Sequence, residues 1–330
     1  MLTAVLAILA VVLAIASLAI GPVDIGMTGV LVALAGGGDE VNRIIVTELR
    51  LPRTILACAI GATLGLAGAA LQGYVRNPLA SPSLIGASNA AAFGAVLALS
   101  LGLGGVSSFV LPVMAIAAAF GCVLLILALT HNDPRMLTLI LAGLALSSLF
   151  GALISLALNL APNPFGALEI AFWLLGSLAD RSTDHLWISL PFMAASWILL
   201  AWDRRGLQAL SFGEETAMTM GVDLARLRLR VIGGTAIGVG GAVAVSGVIG
   251  FVGLVVPHLV RPFVGHDPGR ILLPSALAGA CLLTAADCVV RVVPATNELR
   301  LGVVTALIGV PFFLHLLFKE RRSAVIARHA

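Results

Sequence analysis

The residues able to do chemistry in this 330-residue chain are few, and most are cations. Arg50 and Arg53 flank Leu51-Pro52 just ahead of an apolar run. Two readings are open for them. They are arginines snorkelling from a helix end, or an outer pair of cations that receives the carboxylates of a docking protein, where charge complementarity sets orientation and on-rate. Asp287 and Arg291 stand four residues apart on one expected helix. Each alone at the bilayer centre would cost ~2.5–3.5 kcal/mol on insertion scales, and an i,i+4 pair offsets part of that. Arg291 therefore reads either as neutralised by Asp287 or as a further member of the outer surface. Glu214 and Glu215 follow Gly213 in a charged segment. Their charge favours the positive end of a helix, and Gly221 is a stop signal for it.

Other chemistries lack the residues they need. The histidines 131, 185, 258, 266, 315 and 329 are scattered, with no His-x-x-x-His or His/Cys cluster for a metal. Cys58, Cys122, Cys281 and Cys288 lie in apolar runs without paired ligand spacing and read as small buried side chains. No nucleophile, base and oxyanion-stabilising set is visible, so no catalytic residue is assigned. The one lysine, Lys319, has no glycine-rich loop before it. A Walker A loop needs Gly-x-x-x-x-Gly-Lys to hold phosphates, so this chain is not expected to bind ATP by itself.

The elements that must position these charges are membrane spans. The chain is 60% hydrophobic and 11% charged, with mean hydropathy +1.10, where a soluble domain carries about 25% charged residues. Stretches 77–132, 136–168 and 231–260 contain no Asp, Glu, Lys or Arg. The expected fold is therefore an all-α polytopic membrane protein, one transmembrane domain over residues 1–330. At ~20 residues per crossing about ten spans fit. They are expected near 3–20, 54–73, 84–103, 107–129, 137–159, 186–202, 231–249, 251–264, 271–292 and 301–318. The eighth is too short to cross straight and reads as a bent segment packed inside protein. Ala14-Ile15-Ala16 resembles a signal cleavage site, but without a positive n-region the first helix reads as uncleaved.

Charge placement sets the expected orientation. With both termini cytoplasmic, Arg76, Arg135, Arg204, Arg205, Arg226, Arg228, Arg230, Arg261, Arg270, Lys319, Arg321, Arg322 and Arg328 lie inside. Arg43, Arg50, Arg53, Arg181, Arg291 and Arg300 remain outside. Residues 21–53 form an expected outer loop and 73–84 an inner one. The inner segment 203–230 is amphipathic, with one short helix from Ser211, as cap, to Met220 and a second from Asp223. It either docks a soluble partner or lies on lipid headgroups. Glycine patterns such as Gly61-x-x-x-Gly65 and Gly234-x-x-x-Gly238 read as close helix packing. No internal repeat is evident, which weakens a secondary-transporter reading built on inverted repeats.

Several motifs occur together in order: Arg50-Leu51-Pro52-Arg53, Arg76-Asn77-Pro78-Leu79-Ala80-x-Pro82, Leu141-Ala142-Gly143, Gly213-Glu214-Glu215-x-Ala217-x-x-Met220-Gly221, the run Gly250 to Arg261, and Gly302-Val303-Val304-Thr305-Ala306-x-x-Gly309-x-Pro311-Phe312-Phe313. With these the chain resembles, over nearly its whole length, the FecCD family of permeases of type II ABC importers for iron-siderophore, haem and vitamin B12. The resemblance implies a ten-helix permease in the bacterial inner membrane, not an enzyme and with no cofactor of its own. It would work beside a second permease copy (identical or related), two ATPase subunits that bind ATP and Mg, and a periplasmic binding protein, with no role for nucleic acid. It assigns ATPase coupling to Glu214, Glu215, Ala217 and Gly221. Binding-protein docking falls to Arg50, Arg53 and Arg291. The inner gate falls to Asn77, Pro78 and Leu79 together with Met136 and Leu137. The fifth span, 137–159, would line the path. Two departures stand out: Ala90 occupies a usual glycine position, putting close packing of the third span in doubt, and Arg300 replaces the usual proline. The expected cargo is ferric siderophore, with haem and vitamin B12 as family alternatives. A proton-coupled transporter is the alternative from another class; it would need a membrane-embedded carboxylate, for which Asp287 is the candidate.

Overall fold

A computed structural model describes residues 1–103, 107, 109–131, 136–161, 163–293 and 299–329, excluding the side chains of 316–317 and 319–329. Arg135, and the side chains of Lys319, Arg321, Arg322 and Arg328, lie outside this description. The regular elements among the described residues are all helical. Helix α1 (Leu2–Ala19) is followed by α2 (Met27–Leu34) and α3 (Glu40–Ile44), and a π-helical turn, Ile45–Arg50, leads without a break into α4 (Leu51–Val75). Then come α5 (Ala87–Ser100), α6 (Val110–Leu129), α7 (Met136–Asn159), α8 (Pro164–Leu174) and α9 (Thr183–Trp202). The chain continues through α10 (Arg204–Leu210), α11 (Glu214–Thr219), α12 (Leu224–Ser246), α13 (Val252–Val260), α14 (Leu272–Val292) and α15 (Leu301–His329).

Among the described residues, seven helical stretches are long and apolar enough to cross a membrane: Leu2–Ala19, Glu40–Val75, Val110–Leu129, Met136–Asn159, Thr183–Trp202, Leu224–Ser246 and Leu272–Val292. Four shorter apolar helices accompany them, among them α5, α8 and α13. The expected third span, 84–103, is thus shorter than drawn. Pro82 opens a 3-10 turn that ends at Gly86, whose positive φ of 73° breaks the backbone before α5 begins. The expected bent segment at 251–264 is α13 followed by a 3-10 turn, with Val252, Val255, Val256 and Val260 buried against neighbouring helices.

Three expectations need correction. Residues 21–53 are not a loop, since α2, α3 and the π-helical turn occupy most of them, with Asp39 accepting the Asn42 amide at the start of α3. Ser211 does not cap α11; its hydroxyl donates to the Gln208 carbonyl at the end of α10, and Gly213 precedes the helix. The helix expected from Asp223 is not short. Asp223 accepts the Arg226 amide at 3.1 Å and so caps α12, which runs on to Ser246. Helix α8 was absent from the sequence expectations, although Asn163-Pro164 is a start signal. Asn163 Oδ1 accepts the Gly166 amide at 2.8 Å, with proline at the first helical position.

Helix α4 is the axis of the fold. Its 25 residues reach roughly 37 Å at 1.5 Å per residue, enough for a hydrocarbon core of ~30 Å. It packs against α14, α13, α12 and α9. Lipid offers no hydrophobic drive between helices, so close backbone approach must hold them together. Gly61 faces Gly279 of α14 so closely that a Cβ at either would lie 2.1–2.2 Å from the other's carbonyl oxygen. Two turns on, a Cβ on Gly68 would lie 1.8 Å from the Gly253 carbonyl oxygen of α13. Ala90 is fully buried, and α5 packs against both α6 and α7, so a methyl in place of hydrogen is accommodated there. Trp197 of α9 donates to the Thr63 hydroxyl at 2.8 Å, satisfying two polar groups at mid-helix depth.

Candidate functional site

The charged residues collect at the two ends of α4. At its N-terminal end the arginines of the Arg-Leu-Pro-Arg motif turn inward. Arg50 is 5% exposed, and donates from Nη1 to the carbonyls of Leu18 at 2.9 Å and Ala19 at 2.8 Å, and from Nη2 to that of Val23. Arg291 donates to the carbonyls of Ser17 at 3.0 Å and Ile20 at 3.3 Å. The last carbonyls of α1 have no partners within their own helix, and the two arginines supply donors and positive charge where the helix dipole favours both. Snorkelling does not describe this geometry, because the guanidinium groups are buried among backbone oxygens.

Asp287 ties the cluster together. Arg53 donates to it from Nε at 3.0 Å and Nη2 at 2.8 Å, and Arg291 reaches the second carboxylate oxygen. Asp287 and the side chain of Arg291 are almost wholly buried, and Arg53 is nearly so. Arg53 and Arg291 share this one carboxylate, and Arg50 beside them is held by carbonyl oxygens, so the three guanidinium groups keep excess positive charge. These open onto a cavity of ≈ 370 Å³ lined by Arg50, Arg53, Arg291, Asp180 and Arg181 together with Gly21 to Val23. Arg181, in the turn before α9, is a member of this site that the sequence reading left among generic outer arginines. Burial pushes its guanidinium below the usual value, Asp180 beside it acts in the opposite sense, and Arg300 adds to the lowering. Arg300 itself lies 5.1 Å over the ring of Phe172 in α8.

At the C-terminal end of α4 the expected gate and coupling residues lie near one another. Arg76 takes left-handed backbone, φ 53°, and the Asn77 amide reaches back to the Gln72 carbonyl at 3.2 Å. The Asn77 side chain then accepts the Leu79 amide at 2.9 Å, a turn that presents Pro78 and Leu79 half-buried below the helix. Arg76 lies 4.0 Å from Glu214 of α11. Both are about half exposed, so the pair is worth at most ~1 kcal/mol and orients more than it stabilises. Glu214, Met218, Tyr74, His131 and Met136 share a cavity of ≈ 700 Å³. Leu137, next to Met136, is exposed.

Helix α11 is built to be rigid although it has only six residues. The Gly221 amide bonds the Met218 carbonyl at 2.9 Å and the Val222 amide bonds that of Ala217 at 3.0 Å. This two-bond stop needs a left-handed residue, which Gly221 supplies with φ 84°. Ala217 is fully buried, while Glu215, Phe212, Met218 and Met220 are exposed. The result is a firmly seated knob with an apolar and acidic surface.

Comparison with known proteins finds a family and relatives that span most of the chain. The FecCD transport family matches residues 8–319. The ABC transporter permease protein YvrB of Bacillus subtilis (strain 168) is 40% identical over 293 residues, covering 87% of this chain and 82% of the relative. The cobalamin import system permease protein BtuC of Halobacterium salinarum is 40% identical over 290 residues, covering 85% and 75%. Among solved structures, an inward-facing metal-chelate type ABC transporter superposes with a TM-score of 0.86 at 34% identity, covering 96% of this chain and 98% of that one.

Proposed function

The chain belongs to the FecCD transport family, and on that premise we propose that it is the permease subunit of an ABC importer that carries a bulky metal chelate, ferric siderophore, through the inner membrane. The observation that carries the permease reading is the seated knob of α10 and α11, placed beside the turn that follows α4. A soluble ATPase docked on Phe212, Glu215, Met218 and Met220 would move α11 as one piece. The Arg76–Glu214 pair and the shared cavity at Met136 would pass that motion to Asn77, Pro78, Leu79 and the start of α7.

At the other end, the positive cavity around Arg50, Arg53 and Arg291 would receive carboxylates from a loaded binding protein, and Arg181 would add a fourth cation. Two ATPase subunits would bind and hydrolyse ATP, this chain binding none, and a second permease copy would complete the path. In this reading both termini would lie on the ATPase side, and α5, α13 and α15 would be the spans that complete ten. The secondary-transporter alternative is disfavoured because Asp287 is held by two arginines and is not open to a proton path. Cobalamin is the second reading for the cargo, favoured by the permease relatives named for its import.

The test is ATP-dependent uptake into proteoliposomes that hold this chain with its ATPase, the binding protein being loaded in turn with ferric siderophore, haem or cobalamin. Uptake of ferric siderophore alone is expected. Uptake of cobalamin alone moves the cargo to the second reading, and failure of any ATPase to associate refutes the permease role.

A further inference from the structure

A further cavity among the described residues takes no part in the proposed transport. It measures ≈ 1030 Å³ and lies between the start of α1, the end of α9 and the start of α14, with Ala62 and Leu66 of α4 as its floor. Its walls are apolar: Leu2, Trp197, Phe263, Leu272 and Leu277 face it. Its rim carries two exposed guanidinium groups, Arg204 at the head of α10 and Arg270 in the turn before α14. Asp267 is the acid at that rim. Its oxygens already accept from Gln208 at 2.8 and 2.9 Å and from the backbone amides of Gly269 and Arg270, and Arg270 reaches it through Nε at 3.3 Å. The nearby Asp203 is engaged by Arg230 at 2.7 Å. The rim therefore keeps net positive charge.

Helix α1 buries only 6% of its apolar window. Its outward residues, such as Val5 and Ile8, are left to face lipid. A hydrocarbon-lined space beside such a helix, at the depth of an apolar span, favours acyl chains over water. A cationic rim at the same end favours phosphate, which guanidinium groups bind with two parallel hydrogen bonds. We propose that this cavity is a binding site for one anionic phospholipid, with its chains against Leu66, Trp197 and Leu277 and its phosphate on Arg204 and Arg270.

Trp197 makes the site observable. Reconstituted protein is expected to show quenching of Trp197 emission by brominated phosphatidylglycerol at a mole fraction about tenfold below that needed for brominated phosphatidylcholine, as two arginines near the headgroups imply. Trp197→Phe gives the background from the other tryptophans. The variant Arg204→Gln/Arg270→Gln should erase the preference, and soluble glycerol phosphate should not compete. Should the double variant fail to fold, Ala276→Phe fills the cavity and leaves the arginines in place; native mass spectrometry should then show loss of the one retained phosphatidylglycerol. Equal quenching by both lipids, a preference that survives loss of both arginines, retained lipid in the filled variant, or competition by glycerol phosphate would each overturn the proposal.

Discussion

Replacing Asp287 by asparagine isolates the electrostatics of the α1–α4–α14 junction. The carboxylate is 0% exposed and serves Arg53 and Arg291, whose side chains are 14% and 3% exposed. Removing one partner of a buried pair leaves charge uncompensated and costs about 3–5 kcal/mol. The asparagine oxygen still accepts one hydrogen bond from a charged donor, and Arg291 keeps the Ser17 and Ile20 carbonyls, so a loss near the lower bound, about 3 kcal/mol, is expected. Unfolding by sodium dodecyl sulfate in mixed micelles, followed by circular dichroism, measures it. Combining Arg53→Gln with Asp287→Asn removes one of the stranded cations and should restore about 1 kcal/mol or more. A single variant within about 0.5 kcal/mol of the parent would refute the reasoning, because that is the range of a substitution away from any buried network.

Four other outcomes are expected. Gly68→Ala forces a methyl against the Gly253 carbonyl, 1.8 Å from an ideal Cβ, and should cost about 3 kcal/mol or more in the same micelle assay; Gly121→Ala, which meets nothing within 4 Å, should be neutral or gain up to about 1 kcal/mol from helix propensity. Glu214→Gln/Glu215→Gln should lower substrate transported per ATP by about tenfold or more, since the acidic face is the proposed contact, and normal coupled uptake in vesicles would count against it. Arg53→Gln, which spares the carbonyl contacts of Arg50, should weaken binding-protein docking by about tenfold or more and leave ATPase association intact, as read in pull-downs. The pH response of the turn at 261–271 follows from Asp267: burial raises its carboxyl, but hydrogen bonds from Gln208, Arg270 and Gly269 and the charge of Arg270 outweigh it, so the native value lies below the ordinary carboxylate range. Its contribution is complete above that range and disappears as pH falls through the lower native value. The difference in melting temperature between the parent and Asp267→Asn should therefore be present at neutral pH and fade as pH falls below the ordinary carboxylate range; a difference that grew on acidification would reverse the sign.

Periodicity and composition were enough to find the long helices. A run such as 231–246 has no charge and a stripe of glycines, and nothing but a packed membrane helix accommodates it. Local stop signals were legible for the same reason: Gly221 ends α11 through bonds to residues within one turn, so no distant partner is needed. The break at Gly86 was equally local and equally visible, yet the expected third span, drawn from residue 84, ran across it, because hydropathy averaged over a window does not sense a single backbone reversal. Helix α2 escaped because it is short and its charge-free run is too brief to span, and α8 because it straddles the end of the charge-free run 136–168, most of which the expected fifth span had already taken, although Asn163-Pro164 marks its start.

The sequence alone determined an all-helical membrane chain, the membership its ordered motifs implied, and the positions where charge sits. Which way those charges face was decided only by the tertiary structure. Arg50 and Arg53 are three residues apart on paper, but Arg50 ends on the carbonyls of α1, more than thirty residues away, and Arg53 on Asp287, 234 residues away. A guanidinium near a helix end can snorkel, cap another helix or bind a carboxylate at similar local cost. The choice among them depends on which unpaired oxygens the packing of α1, α4 and α14 brings within reach, and that packing is set by glycine contacts far along the chain.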